Sequence, residues 1–218
     1  MSTTQNLHHQ AEESREKEHF LDALKLYEEV VIRYQSEKDY PSLVEALGGR
    51  CLTYKHLYLL SNDFVFYNLA QHSALSSLEI AQKHNINEKF YRCYFRLGEM
   101  QMLIRNYSIA IKYYKNALSN YPQEEAEKGD FQYHLGEAQY RAGKTKLGLQ
   151  NLLTNQKIIE KYKSTTDSFV YNVWLSGCFI SLTKLTKDKK YYTLAPKIID
   201  SDPRLVIRKR QLAQLKVS

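Results

Sequence analysis

The residues with the strongest formal claim to chemistry run from Ala138 to Thr145, AQYRAGKT, and end in the Gly-Lys-Thr of a phosphate-binding loop. Such a loop follows a β-strand, and its flexible glycines let backbone N–H groups wrap a phosphate. Here Ala138 stands where the first glycine belongs, and Glu137 to Ala142 carry a helical pattern. The segment reads as a helix end with Gly143 at the turn, not as a nucleotide site. Seven histidines (His8, His9, His19, His56, His72, His84 and His134) include no pair at the helical metal-ligand spacing of three or four. Three cysteines, Cys51, Cys93 and Cys178, lie far apart, so neither a zinc site nor a redox CxxC is expected. Glu99 and Glu137 could be imagined as an acid/base pair, but each follows a Leu-Gly in the same local context. Equivalent positions on successive elements are the simpler reading. No serine sits in a nucleophile turn. The residues therefore point away from catalysis, metal and cofactor.

The elements that hold these residues are helices. With 8 Gly and 4 Pro in 218 residues, the chain has few breakers, while 43% apolar residues suffice for a core. No stretch approaches the roughly 18 apolar residues that span a membrane, and the opening MSTTQNLHHQ lacks the apolar centre of a secretory signal. Free thiols fit a reducing compartment, so a cytoplasmic protein is expected and the sequon at Asn106 is read as a turn. Apolar periodicity places helices near 5–16, 19–35, 40–60, 63–84, 88–104, 107–120, 125–142, 145–163, 167–185, 189–199 and 203–216. Asn106 is expected to cap the sixth helix. Asp202 should cap the last, with Pro203 in its first turn.

The pattern repeats. Residues 90–122 place Leu97-Gly98 before Ala110, Tyr114, Ala117 and Pro122, with Ala110, Tyr114 and Ala117 on one helical face. Thirty-eight residues on, Leu135-Gly136 stands for Leu97-Gly98, while Gly148 and Leu152 stand for Ala110 and Tyr114. Ala11, Ala23, Tyr27 and Val30 fit the same spacing upstream. Leu47-Gly48, Ala74, Leu78 and Ala81 fit a copy with a longer inner segment, and Gly177 marks a degenerate one. Small residues recurring on facing helices let two rods approach closely, and the large residue between them fills the space between layers.

Residues 90–122 resemble a tetratricopeptide repeat at Tyr94, Leu97, Gly98, Ala110, Tyr114, Ala117 and Pro122, although the family's usual helix-A tyrosine is Gln101 here. Residues 128–155 resemble a second repeat, and weaker copies extend the likeness over about 5–185. The resemblance implies an all-α superhelix, a solenoid of about five helical hairpins closed by a C-terminal capping helix, as a single domain over 1–218. It also implies a non-catalytic scaffold or adaptor that binds a protein or peptide along a concave groove lined by the first helix of each hairpin. Carried over position by position, the groove residues are Arg92, Phe95, Glu99 and Met102, then Tyr133, Glu137, Tyr140 and Arg141, then Tyr171, Trp174 and Cys178. The family's clamp for a C-terminal carboxylate needs Lys and Asn at groove positions held here by Phe95, Glu99, Tyr133 and Glu137. A partner bearing Arg, Lys or an aromatic side chain fits those glutamates better.

The charge is concentrated at one end. The chain carries a net +7, and residues 184–218 hold 10 Lys and Arg against Asp188, Asp200 and Asp202. This segment is expected to be a basic, degenerate hairpin with its cap. Arg208, Lys209, Arg210, Lys216 and the lysines from Lys184 to Lys190, with Tyr191 and Tyr192, support an alternative reading as a nucleic-acid-associated repeat protein. No reading-helix motif accompanies them.

Overall fold

The computed structural model describes residues 3–122 and 125–215. Among them the chain forms eleven α-helices and no strand. They are α1 (Thr3–Glu16), α2 (Phe20–Glu37), α3 (Tyr40–Ser61), α4 (Phe64–Lys83), α5 (Phe90–Leu103), α6 (Tyr107–Ser119), α7 (Ala126–Arg141), α8 (Thr145–Lys161), α9 (Ser168–Thr186), α10 (Lys189–Ile199) and α11 (Val206–Ala213). A single 3₁₀ turn, Asn87–Lys89, precedes α5. The helix pattern read from the sequence is present throughout, with the main shift at the last helix. The chain divides into two compact units, Met1–Asn120 and Tyr121–Ser218.

In the first unit α1 packs on α2, α3 on α4 and α5 on α6, while α2–α3 and α4–α5 contacts join one hairpin to the next. Ala11, Ala23, Tyr27, Val30, Ala74, Ala81, Ala110, Tyr114 and Ala117 are all buried, as the repeat pattern requires. Gly98 is the clearest close approach: a Cβ there would sit 2.5 Å from the Tyr114 ring, which itself lies 5.4 Å from the Phe95 ring. The second hairpin needs a correction of register. Gly48 faces open space, and its neighbour Gly49 is the contact residue, where a Cβ would lie 2.4 Å from the Tyr27 hydroxyl oxygen. Leu47-Gly48 reproduces the motif's letters, but α3 is turned so that the next glycine meets the preceding hairpin.

Turns repeat as well as helices. Glu18, Arg105 and Gly143 each follow a first helix with positive φ. Their N–H groups donate to Arg15, Met102 and Tyr140 carbonyls, and the next N–H groups donate to Ser14, Gln101 and Gln139. This double hydrogen bond satisfies carbonyls that the helix end would leave unpaired. Where a side chain caps the following helix, it is aspartate: Asp39, Asp63, Asp167 and Asp188 accept from Ser42, Val65, Val170 and Lys190 N–H. Asn106 occupies a cap position without capping, because its side-chain amide donates to Gln101 instead.

In the second unit the close approach is between backbones. A Cβ on Gly148 would meet Tyr140 N at 2.4 Å and Gly136 O at 2.6 Å. The four residues singled out for close packing, Gly98, Ala110, Gly136 and Gly148, are thus all wedged between helices. The centre of the unit is α9, whose residues 175–183 are buried without interruption. A helix apolar on every side must be surrounded, and α7, α8, α10 and α11 all pack on it. The end of the chain differs from expectation. Asp202 does not cap α11; its carboxylate accepts from the Arg204 backbone and guanidinium, and the helix begins only at Val206. Leu205 and Ile207 are buried and Leu212 and Leu215 pack on the core, whereas Val206 faces outward. Lys216 lies outside the described residues.

Candidate functional site

Two pairs of neighbouring first helices, α3 with α5 and α7 with α9, are tied together through glutamates. In the first unit Glu45 on α3 accepts from Lys89 Nζ at 2.7 Å and from Arg92 Nη1 at 2.8 Å. Burial pushes the Glu45 carboxyl up, but the two cations outweigh it and hold the group below its ordinary value. Two turns along α5, Glu99 accepts from Lys55 Nζ and Arg96 Nη1, both at 2.6 Å, and is only 7% exposed. Near α1, a cavity of about 370 Å³ is lined by Gln5, His8, His9, Glu12, Tyr34, Ser42 and Glu45. Burial holds the His8 imidazole below its ordinary pKa, against the opposing pull of Glu12 and Glu45, so it stays neutral near pH 7.

The second unit uses the same device. Glu137 accepts from Arg141 Nε and from Ser181 Oγ on the next first helix, α9, both at 2.8 Å. Burial raises its pKa, but Arg141, His134 and the two hydrogen bonds bring it below the ordinary carboxylate value. Tyr140 donates its hydroxyl to the Leu185 carbonyl at 3.0 Å. Burial likewise pushes the Cys51 thiol up to about 12 and the Cys178 thiol well up, so neither offers a thiolate.

The groove candidates separate by burial. Phe95, Tyr133, Tyr171 and Cys178 are core residues with 8% exposure or less. Phe95 packs on Tyr114, while Tyr133, Tyr171 and Cys178 belong to the α9-centred core. They shape the faces from beneath and offer no surface to a guest. Glu99 and Glu137 are neutralised within the chain, which removes the reason to expect a cationic partner for them. Arg92, Met102, Tyr140, Arg141 and Trp174 keep solvent exposure. The sequence reading missed Glu45, Lys55, Lys89 and Ser181. A signal was present: Lys55–Glu99, Glu45–Lys89 and Glu137–Ser181 are each 44 residues apart.

The C-terminal cations also divide. Arg208 points inward, donating from Nε to the Val173 carbonyl, and its guanidinium fills the space that a Cβ on Gly177 would take. Gly177 therefore makes room both for the end helix, through Arg208, and for the Tyr133 hydroxyl of α7. Arg204 is bound to Asp202 and lies over the Phe169 ring. Lys184, Lys187, Lys189, Lys190 and Lys209 are exposed. The AQYRAGKT segment is the end of α7 followed by its turn, with no strand before it among the described residues. Among those residues, too, no cluster of three His, Cys, Asp or Glu side chains is placed to hold a metal, and no helix is long and apolar enough to cross a membrane.

No protein-family model and no curated protein sequence matches the chain. Solved structures do. BtubC (BKLC) from P. vanneervenii is similar at 17% identity, covering 93% of this chain and 78% of its own, with a TM-score of 0.61. A putative kinesin light chain from Podosopora anserina with nearly identical TPR-like repeats is similar at 12% identity, covering 99% of this chain and 100% of its own, with a TM-score of 0.58. A variant of that protein with a glutamine replaced by methionine gives 13% identity over 94% of this chain and 99% of its own, with a TM-score of 0.56. The likeness runs through helical hairpins joined by tight turns, the same arrangement that Gly98, Gly136 and Gly148 create here. The chain has the tetratricopeptide-type fold.

Proposed function

We propose that this chain is a non-catalytic scaffold that holds a protein or peptide on the faces of its first helices, and that it works in the cytoplasm. The observation that carries the reading is the locked charge pattern on those faces. Glu45, Glu99 and Glu137 each tie one first helix to a cation or hydroxyl on the neighbouring first helix of the same unit or just before it. A buried ion pair contributes little more to stability than an apolar contact of the same size would. What it does supply is a fixed orientation for neighbouring side chains, and preorganised side chains lose less entropy when a partner docks. Around them Arg92, Met102, Tyr140, Arg141 and Trp174 remain reachable, and Arg, aromatic and Met side chains suit interface centres. Three free, buried cysteines support the reducing location.

Affinity capture with the full chain tests this, run in parallel with Arg92→Glu/Trp174→Ala, a variant whose melting must first be shown unchanged. A protein retained by the wild type, lost with the variant and binding directly when purified supports the proposal. Retention by both forms, or turnover of a small molecule by the purified chain, overturns it. A captured species that proves to be RNA, released by added salt, transfers the function to the exposed lysines from Lys184 to Lys209.

A further inference from the structure

One end of the first unit is uncovered and apolar. Of the eleven large apolar side chains exposed among the described residues, five fall close together: Leu59, Leu60, Phe64, Val65 and Leu69, at 39–58% exposure. The first four straddle the turn that joins α3 to α4, and Leu69 lies one helical turn beyond Val65. A sixth, Ile104 at 38%, comes from the next hairpin. Glu45–Lys89 and Lys55–Glu99 share an offset of 44 residues, so α3 and α5 run parallel in register and Ile104 stands level with Leu60. Leu103, just before it, packs in one cluster with Tyr58.

The fold does not require apolar residues there. The equivalent turn between α1 and α2 holds Lys17 and Glu18, and that between α7 and α8 holds Lys144. Across residues 51–78, by contrast, Lys55 and Asp63 are the only Lys, Arg, Asp or Glu, and Lys55 is taken up by Glu99. The Phe64 ring is propped from below by Tyr67 at 4.7 Å and Tyr58 at 6.3 Å between ring centres, with about half its surface left outward. Summed over the six side chains, the exposed fractions amount to about 500 Å² of apolar surface, at the upper end of what a monomer leaves uncovered. Two opposite charges stand at the same end. Asp63 accepts from the Val65 N–H, and Arg105 follows Ile104; both are exposed, and neither has an ion-pair partner among the described residues.

We propose that this patch pairs with its own copy on a second chain, making a weak two-fold dimer that is independent of the function proposed for the first-helix faces. Area supports that occupant. Two patches face to face bury about 1,000 Å², the least that a specific interface needs, so the dimer should be half-formed at a concentration on the order of 10–100 μM. Charge supports it too. A two-fold axis turns Asp63 of each copy toward Arg105 of the other, so that both pairs form at once and the surface complements itself. A partner segment rich in charge of one sign gains at one of these residues what it loses at the other. A lipid surface fits less well: an acidic bilayer attracts Arg105 and repels Asp63, and residues 51–78 supply no unpaired Lys or Arg to hold an apolar tip among headgroups.

The test is sedimentation velocity of the full chain at concentrations on either side of that range. A reversible monomer–dimer equilibrium is expected. Leu60→Ser/Phe64→Ser should weaken it at least about ten-fold, as loss of central apolar contacts does. Ile32→Ser, at an equally exposed apolar residue on α2, should leave it unchanged. Arg105→Glu sets a carboxylate against Asp63 of the other copy and should weaken the dimer at least about five-fold. Adding Asp63→Asn, which keeps the cap of α4, should recover most of that loss. All the substituted side chains are exposed, and Glu18 already occupies the turn position equivalent to Arg105 at φ of 63°, so these variants keep the parent's circular dichroism. Four results overturn the proposal: a chain that stays monomeric throughout, a dimer indifferent to Leu60→Ser/Phe64→Ser, a dimer weakened as much by Ile32→Ser, or one indifferent to Arg105→Glu. A monomer that instead co-sediments with phosphatidylcholine vesicles, and loses them with Leu60→Ser/Phe64→Ser, also overturns it by making lipid the occupant.

Discussion

Gly148→Ala adds one methyl group where α7 and α8 are closest, and the structure sets both terms of its effect. The new Cβ would lie 2.4 Å from Tyr140 N and 2.6 Å from Gly136 O. Reaching an ordinary contact of 3.4 Å or more means moving the helices apart by about 1 Å. Both clashing atoms are backbone, so no rotamer change relieves them. Overpacking of a tight contact costs about 1–3 kcal/mol, and a clash against backbone on two sides belongs at the top of that range. Against this, alanine returns about 1 kcal/mol of helix propensity relative to glycine. The net expectation is a loss of about 2 kcal/mol. Gly48→Ala is the matched control, because nothing lies within 4 Å of its Cβ; it should gain about 1 kcal/mol. Urea unfolding followed through Trp174, the sole tryptophan and a residue of the second unit, reads the first variant directly. Helical circular dichroism reads the second. If Gly148→Ala is as stable as the parent, or if both variants shift in the same direction, the close-packing reasoning fails.

The remaining expectations rest on single interactions. Arg105→Gly should stabilise the first unit by up to about 1 kcal/mol, measured by thermal melting. Arg105 has φ of 61° in a turn where the equivalent residue is already Gly143, and left-handed backbone costs a side-chain-bearing residue about 1–2 kcal/mol, of which glycine's entropy takes back about 0.5–1. Glu99→Gln leaves Lys55 and Arg96 without their shared carboxylate and should cost about 2–3 kcal/mol in denaturant unfolding. Glu137 has its folded-state pKa below the ordinary value, so its stabilising contribution is complete above that value and disappears as pH falls through the folded one. Glu137→Gln should therefore flatten the acid limb of a stability profile below the ordinary carboxylate value, and an unchanged limb would show the pairing to be weak. Gly177→Ala should shift the Arg208 guanidinium and the Tyr133 hydroxyl and so loosen α11 against α9 without releasing it, visible as modestly faster hydrogen exchange across 206–213.

How far the sequence reaches is visible in particular residues. Gly98, Ala110, Gly136 and Gly148 could be read because close helix approach tolerates almost nothing else, and the constraint leaves a one-letter signature. The same letters misled at Gly48, since Leu-Gly followed by a second glycine gives two possible registers, and only the rotation of α3 onto Tyr27 chooses Gly49. Burial of Phe95, Tyr133 and Tyr171 was not legible because an aromatic side chain suits a core and an interface equally well; what decides is whether a later helix covers it. For Tyr133 and Tyr171 that cover is the α9 core, assembled from residues dozens of positions away. The ionic links were hidden for a different reason. Charged residues at 25% of the chain form many plausible pairs, and the 44-residue offset becomes meaningful only once α3 and α5, or α7 and α9, are known to lie side by side.

The ionic links also constrain how any partner must bind the first-helix faces. Arg92 is 39% exposed but shares Glu45 with Lys89, and Arg141 is 33% exposed but is held by Glu137. An acidic partner reaching either arginine meets a cation whose charge is already offset at 2.8 Å, so it gains the difference between two carboxylates and not the whole attraction. A cationic partner reaching Glu45, Glu99 or Glu137 faces the same discount. Charge on these faces therefore selects orientation and excludes wrong partners, while the free energy of binding has to come from area. Met102 and Trp174, both half-buried, are the apolar candidates there. It follows that a partner on the first-helix faces should bind with weak dependence on salt. Salt titration of the complex tests this without a mutation, and strong salt dependence would mean that Glu45 and Glu137 give up their arginines to the partner.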